Sequence, residues 1–188
     1  MVILKKLVTT LTCFALLISI SSCSKVDPKE IVNAADVYAR SVQNLDAERL
    51  INLTKKMDDK AANDLRDHLN LSKLKKDDAL VKRTIAETIS YTIDESSVKV
   101  NGKTATCIVK FSIVNIDNRP KKLVDNAEAF VQIIKELKET DTFEITLAFE
   151  KVDGQWLASA DNLDLFDDLY SFLDSIFEFV PLTESKST

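Results

Sequence analysis

The chain is 188 residues long, with 25 Lys and Arg against 30 Asp and Glu, a formal charge of −5, and a single histidine. That balance supplies no basic face for nucleic acid, and one histidine is too few for a His-based metal site. With only two glycines there is no glycine-rich loop to cradle a phosphate.

The first 22 residues read apart from the rest. Lys5 and Lys6 precede a stretch, residues 7–20, that is apolar and carries no charge. It is shorter than the roughly 20 residues a membrane-crossing helix needs. A basic start, a short apolar run and small residues after it predict a secretory signal peptide over residues 1–22. Ile20-Ser21-Ser22-Cys23 then resembles the lipobox of bacterial lipoproteins. The resemblance implies a diacylglyceryl group on the Cys23 sulfur and cleavage after Ser22. It makes the lipid bilayer a partner and places the domain outside the cytoplasm, on the cell membrane or outer membrane. Two or more acyl chains are what stable anchoring requires. Cys13 would leave with the leader, so Cys107 is the only thiol expected in the folded domain and no intramolecular disulfide can form.

On that reading the mature chain has 166 residues and a charge of −7, enough for one domain with a real core. The charge is uneven: residues 23–90 carry a net +1 and residues 91–188 a net −8. An acidic second half is repelled by an anionic leaflet. Residues 23–26 form a short tether, residues 27–181 a single domain, and residues 182–188 a disordered tail.

Asp27-Pro28-Lys29-Glu30 opens the domain as a helix start, with Asp27 as cap, Pro28 at the first turn and Glu30 completing a capping box. Ile31, Ala35, Tyr38 and Val42 recur at helical spacing up to about Gln43. Asp46 is expected to cap a second helix holding Leu50, Ile51 and Leu53. Residues 58–69 predict a third, more polar helix, and Asp77 or Asp78 the cap of a fourth.

The pattern then changes to period two. Residues 88–94 and 97–100 predict two strands, and Asn101-Gly102 a type I′ hairpin turn with positive φ at both residues. Residues 103–115 form the clearest strand. Ala105, Cys107, Val109, Phe111 and Ile113 share one side, against Thr104, Thr106, Lys110 and Ser112 on the other. A helix is expected over residues 121–140, then strands over 142–152 and 155–160 joined at Asp153-Gly154. Asp161 or Asn162 should cap a last helix ending at Pro181.

Helices followed by long antiparallel strands make an α+β domain: N-terminal helices packed on a curved antiparallel sheet, with an inserted helix and a C-terminal amphipathic helix. The helix-break-helix at 37–54, the hairpin SVKVNGKTATCIVKF at 97–111 and FEKVDGQWLASA at 149–160 resemble the nuclear-transport-factor-2-like superfamily, the cystatin-like α+β roll. The likeness is nearest to bacterial lipoproteins of unknown function with that fold. It implies a concave sheet face that, in enzymes of the superfamily, forms an apolar cone lined by acid–base residues.

The residues themselves offer little chemistry. His68 lies in a polar helical segment, Tyr38 and Tyr170 fall on apolar helix faces, Tyr91 is on a strand, and the core-facing positions of the longest strands hold no carboxylate. The acidic run from Asp161 to Asp174 lacks the alternating ligands and central glycine of a calcium loop. It forms instead the polar side of the last helix, whose other side carries a wide apolar arc with Phe166, Phe172, Phe177 and Phe179. Such an arc exceeds the roughly 100° that one core contact needs, so Phe177 and Phe179 are the candidate edge for a partner or for self-association. The expected function is therefore a membrane-anchored, non-enzymatic binding module without cofactor. The alternative is a small enzyme or carrier that uses the concave face as an apolar pocket.

Overall fold

A computed structural model describes residues 27–118 and 126–177. Cys23, residues 121–125 of the inserted helix, Phe179 and the expected helix end at Pro181 lie outside the described residues. The fold is α+β. Helix α1 (Pro28–Gln43), α2 (Ala47–Leu53), α3 (Asp59–Leu69) and α4 (Lys76–Ala86) precede strands β1 (Ser90–Asn101) and β2 (Thr104–Val114). Helix α5 (Ala127–Glu136), strands β3 (Thr140–Val152) and β4 (Gln155–Ala158), a 3₁₀ stretch (Ala160–Phe166) and α6 (Asp167–Asp174) follow. The strands form one antiparallel sheet in the order β1-β2-β3-β4.

The predicted caps hold in the first two helices, Asp58 caps the third, and the cap expected for the fourth fails. Asp27, Asp46 and Asp58 each accept a backbone N–H of their own first turn. Glu30 does not turn back to complete a box; it reaches across to Lys151 and Trp156. Helix α4 starts at Lys76 without a side-chain cap, so Asp77 and Asp78 lie inside its first turn. There they favour the positive end of the helix dipole.

Among the described residues, helices cover one face of the sheet. Ala105, Cys107, Val109, Phe111 and Ile113 of β2 and Ile145, Leu147 and Phe149 of β3 are buried on that face. The neighbouring positions Thr104, Lys110, Glu144 and Thr146 are exposed on the other. Helix α1 crosses β1, β2 and β4, while α4 lies against β2, α5 and α6. The alternation read from the sequence is thus the physical division between core and solvent.

The two predicted strands before the hairpin are one strand. Between the pairs Asp94–Ile108 and Lys99–Thr106, β1 carries residues 95–98 opposite Cys107 alone. The Ser97 hydroxyl repairs this bulge by accepting the Ile108 N–H at 2.7 Å and donating to the Asp94 carbonyl at 2.6 Å. A bulge on a long edge strand also discourages pairing with another chain.

The turns differ from each other. Asn101 pairs with Thr104, so the central residues of the first are Gly102 and Lys103, and only Gly102 has positive φ (60°). That is the geometry with glycine at the first central position rather than the predicted type I′. The second turn is type I′, with Asp153 at φ 49° and Gly154 at φ 87°.

The last helix is interrupted. Asn162 is not a cap: it is buried, and its side-chain amide exchanges two 3.0 Å hydrogen bonds with the Ala148 N–H and carbonyl. It therefore continues the β3–β4 ladder past the end of β4. The 3₁₀ stretch then delivers Phe166, 1 % exposed, onto the sheet, and α6 lays Leu169, Tyr170, Phe172 and Leu173 into the same core. Buried Lys82 of α4 donates to the Leu173 carbonyl, placing a cation at the negative end of α6.

Phe166→Ala should lower stability by about 3–5 kcal/mol, seen as a lower urea midpoint. Leu165→Ala, at a half-exposed neighbour, should cost less than about 1 kcal/mol. Truncation after Ala160 should abolish cooperative melting; an unchanged melting temperature would mean that α6 contributes nothing to the core.

Candidate functional site

The concave face, where the resemblance implies a pocket, is filled by the chain's own aromatic rings. Tyr38 from α1 meets Phe149 at 6.4 Å edge-on and Phe166 at 6.1 Å. Phe166 in turn meets Phe111 at 5.5 Å edge-on and Tyr170 at 6.0 Å. All five rings are buried. Such edge-to-face pairs are worth about 0.5–1.5 kcal/mol each beyond the area they bury.

The two phenols in this cluster are held protonated. The Tyr38 hydroxyl is buried without a hydrogen-bond partner, beside Thr54, whose own hydroxyl donates to the Leu50 carbonyl. Burial pushes the Tyr38 pKa up to about 12, with Thr54 opposing the shift. Tyr170 donates to the Val42 carbonyl at 2.9 Å, and burial raises it well above the ordinary tyrosine value, helped by Tyr38. Neither offers a base at neutral pH.

At the margin of the cluster Tyr91 donates to the Asp36 carboxylate at 2.9 Å, and Asp36 pairs with Arg40 one helical turn on at 2.8 Å. Burial is the main cause of the raised Tyr91 pKa. The trio fastens β1 to α1. His68 is exposed, with Nδ1 3.8 Å from Asp174 and its ring 6.3 Å from Tyr170. Among the described residues no group of three or more His, Cys, Asp or Glu could hold a metal ion.

Cys107 sits on the core face as the alternation requires, fully buried and free. Burial raises its thiol pKa, opposed by a contact from Ser97. Phe177 is half-buried against Phe130 of α5 at 5.4 Å. The open apolar surface beside it belongs to Ile176, 86 % exposed.

Open grooves lie elsewhere. One of about 550 Å³ opens where the two hairpins meet; Lys55, Lys56 and Lys99 line it together with Val100, Ala105, Phe149 and Glu150. Lys55 hydrogen-bonds Glu150, which holds that carboxyl below the usual range, with Lys56 and Lys103 adding to the effect. Another, of about 560 Å³, runs between the end of α1 and the α3–α4 region, past Gln43, Leu45, Asn70 and Arg83. A smaller cavity of about 140 Å³ at the opposite end of the sheet is bordered by Asp117, Asp141 and Asp168. The sequence reading missed the lysine groove. Positions 55, 56, 99 and 103 become neighbours only through the strand register.

These features define an α+β domain whose helix-covered sheet face is packed with its own rings, with open grooves at the hairpin end and beside the α3–α4 region. No protein-family model matches the chain, and no curated protein matches it. Among solved structures it is similar to an NTF-2-like protein of unknown function from Shewanella oneidensis MR-1. The two are 14 % identical over 69 % of this chain and 92 % of the other, with a TM-score of 0.40.

Two measurements check this site. Maleimide should modify Cys107 slowly in the native protein and quickly in urea; equal rates would show that β2 does not bury it. Alkaline pH should destabilise the fold through Tyr38 and Tyr170. Unfolded tyrosines ionise near pH ~10 while the folded ones hold their protons, so stability should be full below about pH 10 and fall as pH rises toward 12. Urea midpoints measured through that range would show the fall, and a flat profile would contradict the burial of both hydroxyls.

Proposed function

We propose that the protein is a lipid-anchored lipoprotein of the bacterial envelope whose domain acts by binding a protein or small ligand rather than by catalysis. The filled concave face carries the second half of this reading. Tyr38, Phe166 and Tyr170 occupy the space that a substrate would need, and a ligand pocket is ordinarily a cleft with a few convergent polar groups.

The anchor is supported by the charged start, the short apolar run and Ile20-Ser21-Ser22-Cys23. No helix among the described residues is long and apolar enough to cross a membrane. The same reading divides the chain into a leader over residues 1–22, a tether over 23–26 and one domain over 27–181. It relates that domain to the nuclear-transport-factor-2-like superfamily through the order of its helices and hairpins. The segment after α6, with Ile176 exposed and Phe177 half-buried, is the proposed edge for a partner or second copy.

Cys23→Ala should abolish incorporation of a metabolic fatty-acid label and leave the precursor uncleaved at this site. Unchanged labelling of the variant would overturn the anchor. Partners recovered with the wild-type chain from solubilised membranes, and lost on Ile176→Asp, would support the binding role.

A further inference from the structure

The sheet register gathers lysines that are distant in sequence at the end of the domain where the described chain begins. Both hairpin turns lie at this end, because Thr104 pairs with both Asn101 and Glu150, and Val152 with Gln155. The Lys151 N–H donates to the Lys103 carbonyl at 2.7 Å, so the turns are side by side. Helix α1 starts here too: Glu30 in its first turn accepts from Lys151 Nζ at 2.9 Å and Trp156 Nε1 at 3.1 Å. Cys23 lies four residues before Asp27, a link of at most about 14 Å.

Six lysines mark this end, against Asp27, Glu30, Glu150 and Asp153. Lys55 and Lys151 are committed to Glu150 and Glu30. Lys29, Lys56, Lys99 and Lys103 are exposed and make no ion pair among the described residues. Of the carboxylates, Asp27 caps α1, Glu30 and Glu150 are in ion pairs, and Asp153 remains open in its turn. Among the described residues, Asp117, Asp141 and Asp168 border the small cavity at the far end of the sheet. A chain of net charge −5 thus gathers four exposed lysines without an ion pair at the end where the described residues begin.

The geometry points to the hairpin end as a docking surface for an anionic lipid bilayer, with Lys29, Lys56, Lys99 and Lys103 among the phosphate headgroups and the far end turned away. This rests on the lipid anchor proposed above. Anchored through Cys23, the surface stays within about one to two Debye lengths of the headgroups at physiological salt. That is the range over which basic side chains feel an anionic leaflet. The lysine groove, open and walled by Val100, Ala105 and Thr104, gives a headgroup room to enter. Each lysine near such a surface favours docking by about fivefold.

The test uses the full chain purified from membranes and placed in vesicles of phosphatidylcholine alone, or with about one third phosphatidylglycerol. An impermeant amine reagent reports each lysine by mass spectrometry. Lys56, Lys99 and Lys103 should react about tenfold more slowly in the anionic vesicles, with the difference lost in molar salt. Lys110 and Lys135 should react alike in both. Equal rates at the three lysines in the two vesicles, fast or slow, overturn the proposal. The variant K56E/K99E/K103E, with an unchanged melting temperature, should lose the slowing at Lys29 while keeping its fatty-acid label; retained slowing overturns it. Slowing in native membranes but not in anionic vesicles would mean an acidic protein is the occupant, which also overturns it. A labelled chain with no slowing removes the docking and leaves the anchor. Slowing in an unlabelled chain removes the anchor and leaves the docking.

Discussion

A sheet whose second strand alternates alanine, cysteine, valine, phenylalanine and isoleucine with threonine, lysine and serine has a single face to dry, and α1 is too narrow to dry it alone. A helix with its side chains is about 10 Å across, whereas four strands spaced by about 4.8 Å span roughly 15–19 Å. The remaining width is closed by Phe166, wedged between Phe111 and Tyr38. The stretch from Asn162 to Leu173 serves that closure. The Asn162 amide brings the chain over the sheet by holding Ala148 on both sides, and Tyr170 ties the arriving helix back to the end of α1.

That closure decides what the interior can do. A buried phenol is held protonated, as Tyr38 is. A thiol packed in an apolar strand is likewise pushed away from its reactive thiolate, as Cys107 is. The polar groups that do meet, Asp36, Arg40 and Tyr91, satisfy one another at a helix–strand seam. Side chains with open valences are therefore found at the rim and the two ends of the sheet.

How far the sequence foretold this depended on how local each cause was. Period-two alternation in β2 and β3 and helical spacing in α1 are set by neighbours along the chain, and both were legible, as was the burial of Cys107. Asp27 and Asp46 were legible as caps because a cap reaches only two or three residues. Glu30 was misread because its partners are more than a hundred residues away. Asn162 was misread for a related reason: the sequence shows a capping residue, but the strand edge it completes exists only after folding. The strand break after Asp94 was an illusion of composition. Polar Glu95, Ser96 and Ser97 look like a turn, yet the Ser97 hydroxyl stands in for a backbone group and the strand continues. The lysine groove left no linear pattern at all.

Charge follows the same logic at larger scale. Counted along the chain, the second half is acidic and the first nearly neutral, which suggests that the acidic half simply avoids an anionic surface. Counted in space, the division is different. Lys99, Lys103 and Lys151 belong to the acidic half by number, but the antiparallel register returns them to the end where α1 begins. Asp141 and Asp168 are carried to the other end by the same strands and by α6. Antiparallel pairing thus brings lysines distant in sequence to one end of the sheet. Under the proposed Cys23 anchor the domain would be held at that end, and because tethering removes most of the entropy of association, small electrostatic preferences would suffice to choose which end faces the bilayer.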